Sequence, residues 1–414
     1  MKMLVRKKCL CCNKSNLKEI IDLGEHSFAD RFIPKHKLQI KDPIYPLILD
    51  LCLSCAFIQS RFITNPKNRY LAIDYSYTSS NSNYSKNHWI EFANSIEKKN
   101  DLKNKKIVEI GSNDGFLSYL LKKKGAEVLG VDASEFMVKM SKKKINAIQS
   151  IFTFKESKKI KDLFGEADII IANNVFNHSD KPLDFLKGVY NLLKKDAIFI
   201  FEQPNFTVGV LSLKFDQIYH EHVSYFTAKN IKSILKNSNF KILSLSKNEY
   251  HGGSLRTIAT KKNSDAKEYK IDRFINYENI NNIYKLKFYK EMMKKIHLKK
   301  SKFLTKLANL TASGYILAGI GAGAKSNTFL TFYGLNHHII SFLTDSSKFK
   351  QNKYTPGTHI KIIDPKKINV MKPDYLLLLS WNLVKEIMKQ EKKYLKNNGK
   401  IIIPFPEPRL VNKY

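Results

Sequence analysis

Short β-branched apolar runs alternate with helix-period segments from about residue 100 to 260. Ile107, Val108 and Ile110 form the first run, as a buried parallel strand would. Further runs predict strands at 127–131, 168–172, 197–202, 241–246 and 255–260. Between Pro182 and Lys195, Leu183, Leu186, Val189, Leu192 and Leu193 share one face, which predicts a helix with Asp180 as its cap. Such alternation means a doubly wound α/β domain. A helix is also expected over His88 to Lys99, ahead of the first strand. Residues 264–312 place Ile271, Phe274, Ile275, Ile283, Leu286 and Phe288 in an apolar stripe on a charged background, as one long helical bridge would. Beyond it the strand, glycine turn and helix pattern returns, with strands predicted at 339–343, 375–379 and 400–403. The expected division is 1–70, a linker at 71–99, an α/β domain at 100–260, a bridge at 261–312 and a second α/β domain at 313–414.

Composition narrows this picture. A chain of 414 residues with 43% hydrophobic content is globular and long enough for two or three domains. No apolar run reaches the length of a membrane span. The start, MKMLVRKKCL, lacks the apolar core of a signal peptide, so a cytoplasmic protein is expected. The net charge of +34 raises nucleic acid as a partner. Its lysines are spread along helical faces, as in KKKG, KKDA and KKIHLKK, and no RNA-binding strand motif accompanies them. Abundant Lys, Ile and Asn together read as composition drift. No nucleic-acid or membrane partner is therefore expected, although the charge favours anionic substrates.

All five cysteines lie in the first 55 residues. Cys9-x-x-Cys12 and Cys52-x-x-Cys55 are two knuckles, and four thiolates on two tight turns can close a tetrahedral zinc site of structural type. Cys11 is either a free thiol or a substitute for Cys12 in that register.

Four stretches carry candidate chemistry. In KIVEIGSNDGFL, Glu109-x-Gly111-x-x-x-Gly115 sets a glycine turn between strand and helix, with Asn113 inside it. Such a turn forms a pocket for a small polar ligand at the carboxyl end of a sheet. The next strand ends in Asp132, whose carboxylate can accept from two hydroxyls. Asn173 and Asn174 follow the third strand. FDQIYHEHVSYF places Tyr219, His220, Glu221 and His222 together; the two histidines could chelate a metal, or one could act as a general base. GIGAGAKSNT departs from the phosphate-binding GxxxxGK[ST] pattern at Ala324, while Lys325 could still hold a diphosphate at a helix N-terminus. YLAIDYSYTSSNSNYS, with Tyr75 and Tyr77, reads as a surface linker or a polar lid.

The 106–117 stretch with Asp132 resembles the first motif of class I S-adenosylmethionine-dependent methyltransferases. That resemblance implies that Glu109, Gly111, Asn113, Gly115, Asp132, Asn173 and Asn174 hold the cofactor. Paired CxxC, EIGSNDGFL, FDQIYHEHVSYF and GIGAGAKSNT, in this order, resemble the sugar C-methyltransferases that act on nucleotide-linked 4-keto-6-deoxy sugars. The resemblance covers nearly the whole chain. It implies a zinc-binding N-terminal unit, a Rossmann-like methyltransferase domain and a second Rossmann-like C-terminal domain. The family's Tyr-x-Glu-His motif falls on Tyr219, Glu221 and His222, with His222 as base, and a further family tyrosine matches Tyr75 or Tyr77. Of these, Tyr77 is assigned to catalysis. Tyr75, His220, Lys325 and Asn327 are assigned to the substrate. The expected activity is C-methylation of a nucleotide sugar by a monomer. The alternative is O-methylation of a sugar or other hydroxyl.

Overall fold

The computed structural model describes residues 4–66, 69, 78–80, 82–405 and 407–412. Tyr75 and Tyr77 lie outside the described residues. The chain forms two compact units: Met1–Glu19, Leu49–Val208 and His222–Lys285 make the first, and Ile20–Ile48, Gly209–Glu221 and Leu286–Tyr414 the second.

The first unit is built on seven strands: β1 Lys106–Ile110, β2 Glu127–Asp132, β3 Asn146–Gln149, β4 Ala167–Ile171, β5 Leu193–Pro204, β6 Phe240–Asn248 and β7 Ser254–Lys261. Their order is β3-β2-β1-β4-β5-β7-β6. β1 to β5 run parallel, while β7 is antiparallel to β5 and β6. The apolar runs predicted the parallel part, because a strand covered on both faces needs no polar alternation; the antiparallel pair was not foreseen. Val108, Ile110, Ile170, Phe199 and Phe201 enter one core, and Ile107, Ile169, Ile171 and Ile200 the other. β3, sequence NAIQ, was not expected; its one fully buried residue gives too weak a pattern.

Helix α1 spans Asn83–Glu97 and is capped by Ser82, whose side chain accepts from the Ser85 amide. α2, Phe116–Lys123, follows the first glycine turn. α3, Pro182–Leu192, takes Lys181 at its cap position without a side-chain cap. The expected cap, Asp180, instead accepts from Arg6 at 2.5 Å and from Arg69. Two guanidiniums from distant sequence outbid the local amides, since charge-assisted bonds are stronger. α4 covers Ala228–Asn237.

The long bridge is two helices, α5 Asp272–Ile280 and α6 Leu286–Ala312. The break falls at Asn281 and Asn282, the latter at φ 56°, a left-handed conformation that Asn tolerates at helix ends.

The second unit's sheet contains β8 Leu317–Ile320, β9 Leu343–Thr344, β10 Ile362–Ile363, β11 Tyr375–Leu378, β12 Lys400–Ile403 and β13 Arg409–Val411. The order is β10-β9-β8-β11-β12-β13, parallel except for β13. α7, Ala324–Tyr333, follows the second glycine turn. The strand predicted at 339–343 shortens to Leu343–Thr344, because the Asn336 side chain accepts from the His338 amide and the chain turns there first.

Candidate active site

Gly111 and Gly115 both sit at φ +73°, a left-handed conformation that glycine adopts without strain. A Cβ on Gly111 would lie 2.0 Å from Val175 Cγ2, so the residue-173–178 loop packs directly on the turn. The Gly111 and Ser112 amides both donate to the Val131 carbonyl, at 2.6 and 3.2 Å. Asp132 then locks the turn: Oδ2 accepts from the Asn113 amide at 2.8 Å and Oδ1 from the Ser134 amide at 2.9 Å. Each oxygen keeps a further lone pair for a ligand hydroxyl. Burial pushes this carboxyl above its ordinary value. Asn113 Oδ1 accepts from the Ser79 amide at 2.8 Å, and the Ser79 and Ser80 hydroxyls donate to Asp114. The segment before α1 is thereby fastened to the turn.

Glu109 is bonded to the helix that follows the turn. Its Oε2 accepts from the Ser118 amide at 3.1 Å and hydroxyl at 2.5 Å, which ties α2 to β1. Burial pushes it up to about 8, so it stands protonated near neutrality. Its support of the turn runs through α2.

Both amide atoms of Asn173, Oδ1 of Asn174 and the Ser112 hydroxyl are shut from solvent with no protein partner. With the open lone pairs of Asp132, these orphaned groups fit a cofactor that has ribose hydroxyls and an amino-acid end.

His222 is 4% exposed, its ring centroid 5.1 Å from that of His178 and 6.2 Å from Tyr225. His178 ends the loop that packs on Gly111, so turn and imidazole pair are joined through residues 175–178. Burial, and then the charge of Arg69, push His178 down to about 3, which keeps it neutral. Sequence reading missed His178; its only signal was a histidine five residues after Asn173. It also missed the Glu202 network. This fully buried carboxylate accepts from His88, Arg256 and Asn248, each at 2.8 Å. Burial raises Glu202, but His88 and Arg256 outweigh it and hold the group below its ordinary value.

Tyr219, His220 and Glu221 belong to the second unit. His220 Nε2 lies 3.2 Å from the Tyr45 carbonyl, and its ring meets Phe28 and Tyr45 edge-on. That environment gives His220 packing partners within its unit. Tyr219 and His220 line a small cavity with His26 and Asn327.

The second unit repeats the turn. The Gly321 amide donates to the Thr344 carbonyl at 2.8 Å, and Asp345 accepts from the Ala322 and Ser347 amides, each at 2.9 Å. Lys325 stands in the first turn of α7, lowered by burial against the opposing pull of Asp216. Asp216 Oδ2 accepts from Trp381 Nε1 at 2.6 Å, with Lys325 Nζ 5.6 Å from that ring's centre. Asn327 Nδ2 donates to the Ala29 carbonyl at 2.5 Å; only its Oδ1 lacks a protein partner.

Among the described residues, Cys9, Cys12, Cys52 and Cys55 are the one cluster of three or more metal-ligating side chains. Their sulfurs lie within 4.8 Å of one another, with Cys9 to Cys55 at 3.5 Å and Cys12 to Cys52 at 3.6 Å. A tetrahedral zinc with Zn–S bonds of about 2.3 Å needs sulfurs about 3.8 Å apart, so the four fit. Cys11 is outside the cluster; its sulfur lies 3.5 Å from Asn237 Nδ2 on α4. No helix of the described residues is long and apolar enough to cross a membrane.

Three family models match the chain in succession: a family described as a zinc binding domain over residues 9–70, a methyltransferase domain over 84–245 and a C-methyltransferase C-terminal domain over 249–406. Over 408 residues the chain is 26% identical to the C-methyltransferase NovU of Streptomyces niveus, spanning 98% of this chain and 97% of that one. It is 35% identical over 106 residues to the carboxy-S-adenosyl-L-methionine synthase of Nautilia profundicola, covering 25% of this chain and 45% of that one. Among solved structures it is similar to the PH0226 protein of Pyrococcus horikoshii, at 21% identity and a TM-score of 0.37, over 45% of this chain and 95% of that one.

Proposed function

The chain is an S-adenosylmethionine-dependent methyltransferase with the three-part organisation of a C-methyltransferase, and from that premise we propose that it methylates a carbon of a nucleotide-linked keto-deoxy sugar. The observation that carries this reading is the imidazole pair: His222 stands 5.1 Å from a neutral His178, on the loop that packs against the cofactor turn.

A C–H bond beside a ketone is acidic because the enolate spreads charge onto oxygen. His222 takes that proton; a positioned base contributes about a hundred- to ten-thousand-fold. His178, kept neutral, orients the His222 ring without competing for the proton. Asp132 and Asn173 hold the ribose and amino-acid ends of the cofactor. When bound, S-adenosylmethionine supplies an electrophilic methyl group to the carbon that has lost its proton. Glu221, next to His222 in the chain, supports the base, and Tyr219 or Tyr77 donates to the enolate oxygen, where charge develops. Lys325 is assigned to the diphosphate of the nucleotide. The cysteine site is closed by four ligands, so its zinc is structural.

The test uses keto sugars carrying deuterium on the carbon beside the ketone. Carbon methylation must lose that label; a product that keeps it and gains a methyl ether would establish O-methylation instead.

A further inference from the structure

Several polar side chains of the first unit are closed off from solvent without a protein partner beyond those at the cofactor turn. Both amide atoms of Gln203, Oδ1 of Asn177 and the Ser224 hydroxyl are among them, and the three residues are 1%, 2% and 2% exposed. Buried amides and hydroxyls are nearly always hydrogen-bonded, so three such groups in one place call for a partner from outside the chain.

They do share one place. Gln203 follows Phe199 and Phe201 along β5 at period two, so it faces the same side of the sheet. Phe201 lies 5.4 Å from Phe176, which lies 5.1 Å from Phe226. Asn205 bridges Phe226 in parallel, and the Phe206 amide donates to the Phe226 carbonyl at 3.0 Å. That bridge brings the chain just after Gln203 beside the chain just after Ser224. The Asn177 carbonyl accepts from the Val223 amide at 2.9 Å. The neighbours of those two residues are His178 and His222, so the orphaned groups flank the imidazole pair.

Strand order separates this wall from the cofactor groups. Asp132 ends β2, the glycine turn follows β1 and Asn173 follows β4, whereas Gln203 is on β5. At about 4.8 Å per strand, β5 lies about 14 Å across the sheet from β2. Asp132 would hold the cofactor's ribose end at the far side, which would leave β5 to the methyl acceptor.

We infer that Gln203, Asn177 and Ser224 form an uncharged polar wall that recognises ring hydroxyl or carbonyl oxygens of the methyl acceptor. Amides and a hydroxyl offer both donors and acceptors, which suits a hydroxylated keto sugar and not a flat aromatic or alkyl acceptor. The inference rests on the proposed function and adds the residues that read its substrate.

The full-length enzyme is assayed with two nucleotide-linked 4-keto-6-deoxy sugars that differ by one ring hydroxyl. Gln203→Met keeps the side chain's length and removes its polar atoms; Ser224→Ala removes one oxygen and no backbone contact. Each variant should lose about tenfold or more in kcat/KM on the hydroxylated sugar, and the preference between the sugars should collapse, because a site built to hydrogen-bond a hydroxyl rejects the analogue lacking it. The dissociation constant for S-adenosylmethionine should stay within about twofold. Wild-type turnover with both variants unchanged would mean that the groups hold only water, and would overturn this inference alone. If Gln203→Met does not fold, Ser224→Ala decides by the same readout. No wild-type turnover on either sugar overturns the proposed substrate class, and this wall with it.

Discussion

The two glycine turns use nearly the same bonds. In each, an amide after the strand donates to a carbonyl in the last two residues of the neighbouring strand, Val131 or Thr344. In each, an aspartate accepts one amide from the turn and one from two residues beyond itself, at distances between 2.8 and 2.9 Å. Their surroundings diverge. The first turn faces the orphaned amides of Asn173 and the loop bearing His178. A Cβ on Gly321 of the second would meet Ser380 Oγ at 1.9 Å, and the adjoining Asn327 amide nitrogen is already bonded to Ala29. One backbone motif therefore stands among orphaned polar groups in one unit, and is largely consumed by its own unit's packing in the other. The turn shapes the backbone; the side chains around it set the two apart.

The largest separation between the two should come from turnover. His222→Ala should lower kcat by about a hundred- to ten-thousand-fold with cofactor affinity intact, by steady-state kinetics and calorimetry. Near-normal turnover would remove His222 as the base. Lys325→Ala should spare kcat and raise KM for the nucleotide sugar.

Asp132→Asn and Asp345→Asn form a matched pair, since each keeps one acceptor oxygen and turns the other, which accepts one of two equivalent backbone amides, into a donor. Asp132→Asn should weaken S-adenosylmethionine binding by about tenfold or more, while Asp345→Asn leaves it unchanged. Equal losses would erase the functional distinction. Gly111→Ala and Gly321→Ala both force a side chain into a left-handed residue. Both should lower the melting temperature, but only Gly111→Ala should also cost cofactor affinity.

The smallest expected effects are two opposed pH slopes within the first unit. A folded Glu109 keeps its proton to about 8, whereas an unfolded glutamate releases it near 4.5. The unfolded chain binds fewer protons in that window, so stability falls as pH rises through it, and Glu109→Gln should flatten the slope. His178 runs the other way. Unfolded, it takes a proton below 6.5; folded, it resists to about 3, so stability falls as pH drops through that range. His178→Asn should remove that loss. Urea midpoints measured against pH check both.

Much of this was legible in local pattern. The strands at 106–110 and 400–403 matched to the residue, because buried parallel strands announce themselves as β-branched runs. The cysteine spacing named all four members of the cluster. The motif resemblance implied a cofactor role for Glu109, and no local pattern foretold that its Oε2 would bind Ser118.

What the amino-acid sequence determined by itself is everything that depends on neighbours within a few residues: strand and helix periods, the two glycine turns, the paired knuckles and the Tyr-x-Glu-His order. Tertiary structure alone decided which partners these residues found. Asp180 left its helix for Arg6 and Arg69, Glu202 gathered His88 and Arg256, and Asn205 came to bridge Phe226. Those pairings span tens to more than a hundred positions, and hydrophobic period carries no record of them. A buried polar group is satisfied by whatever the folded chain brings within reach, and that choice is made only when the sheet closes over it.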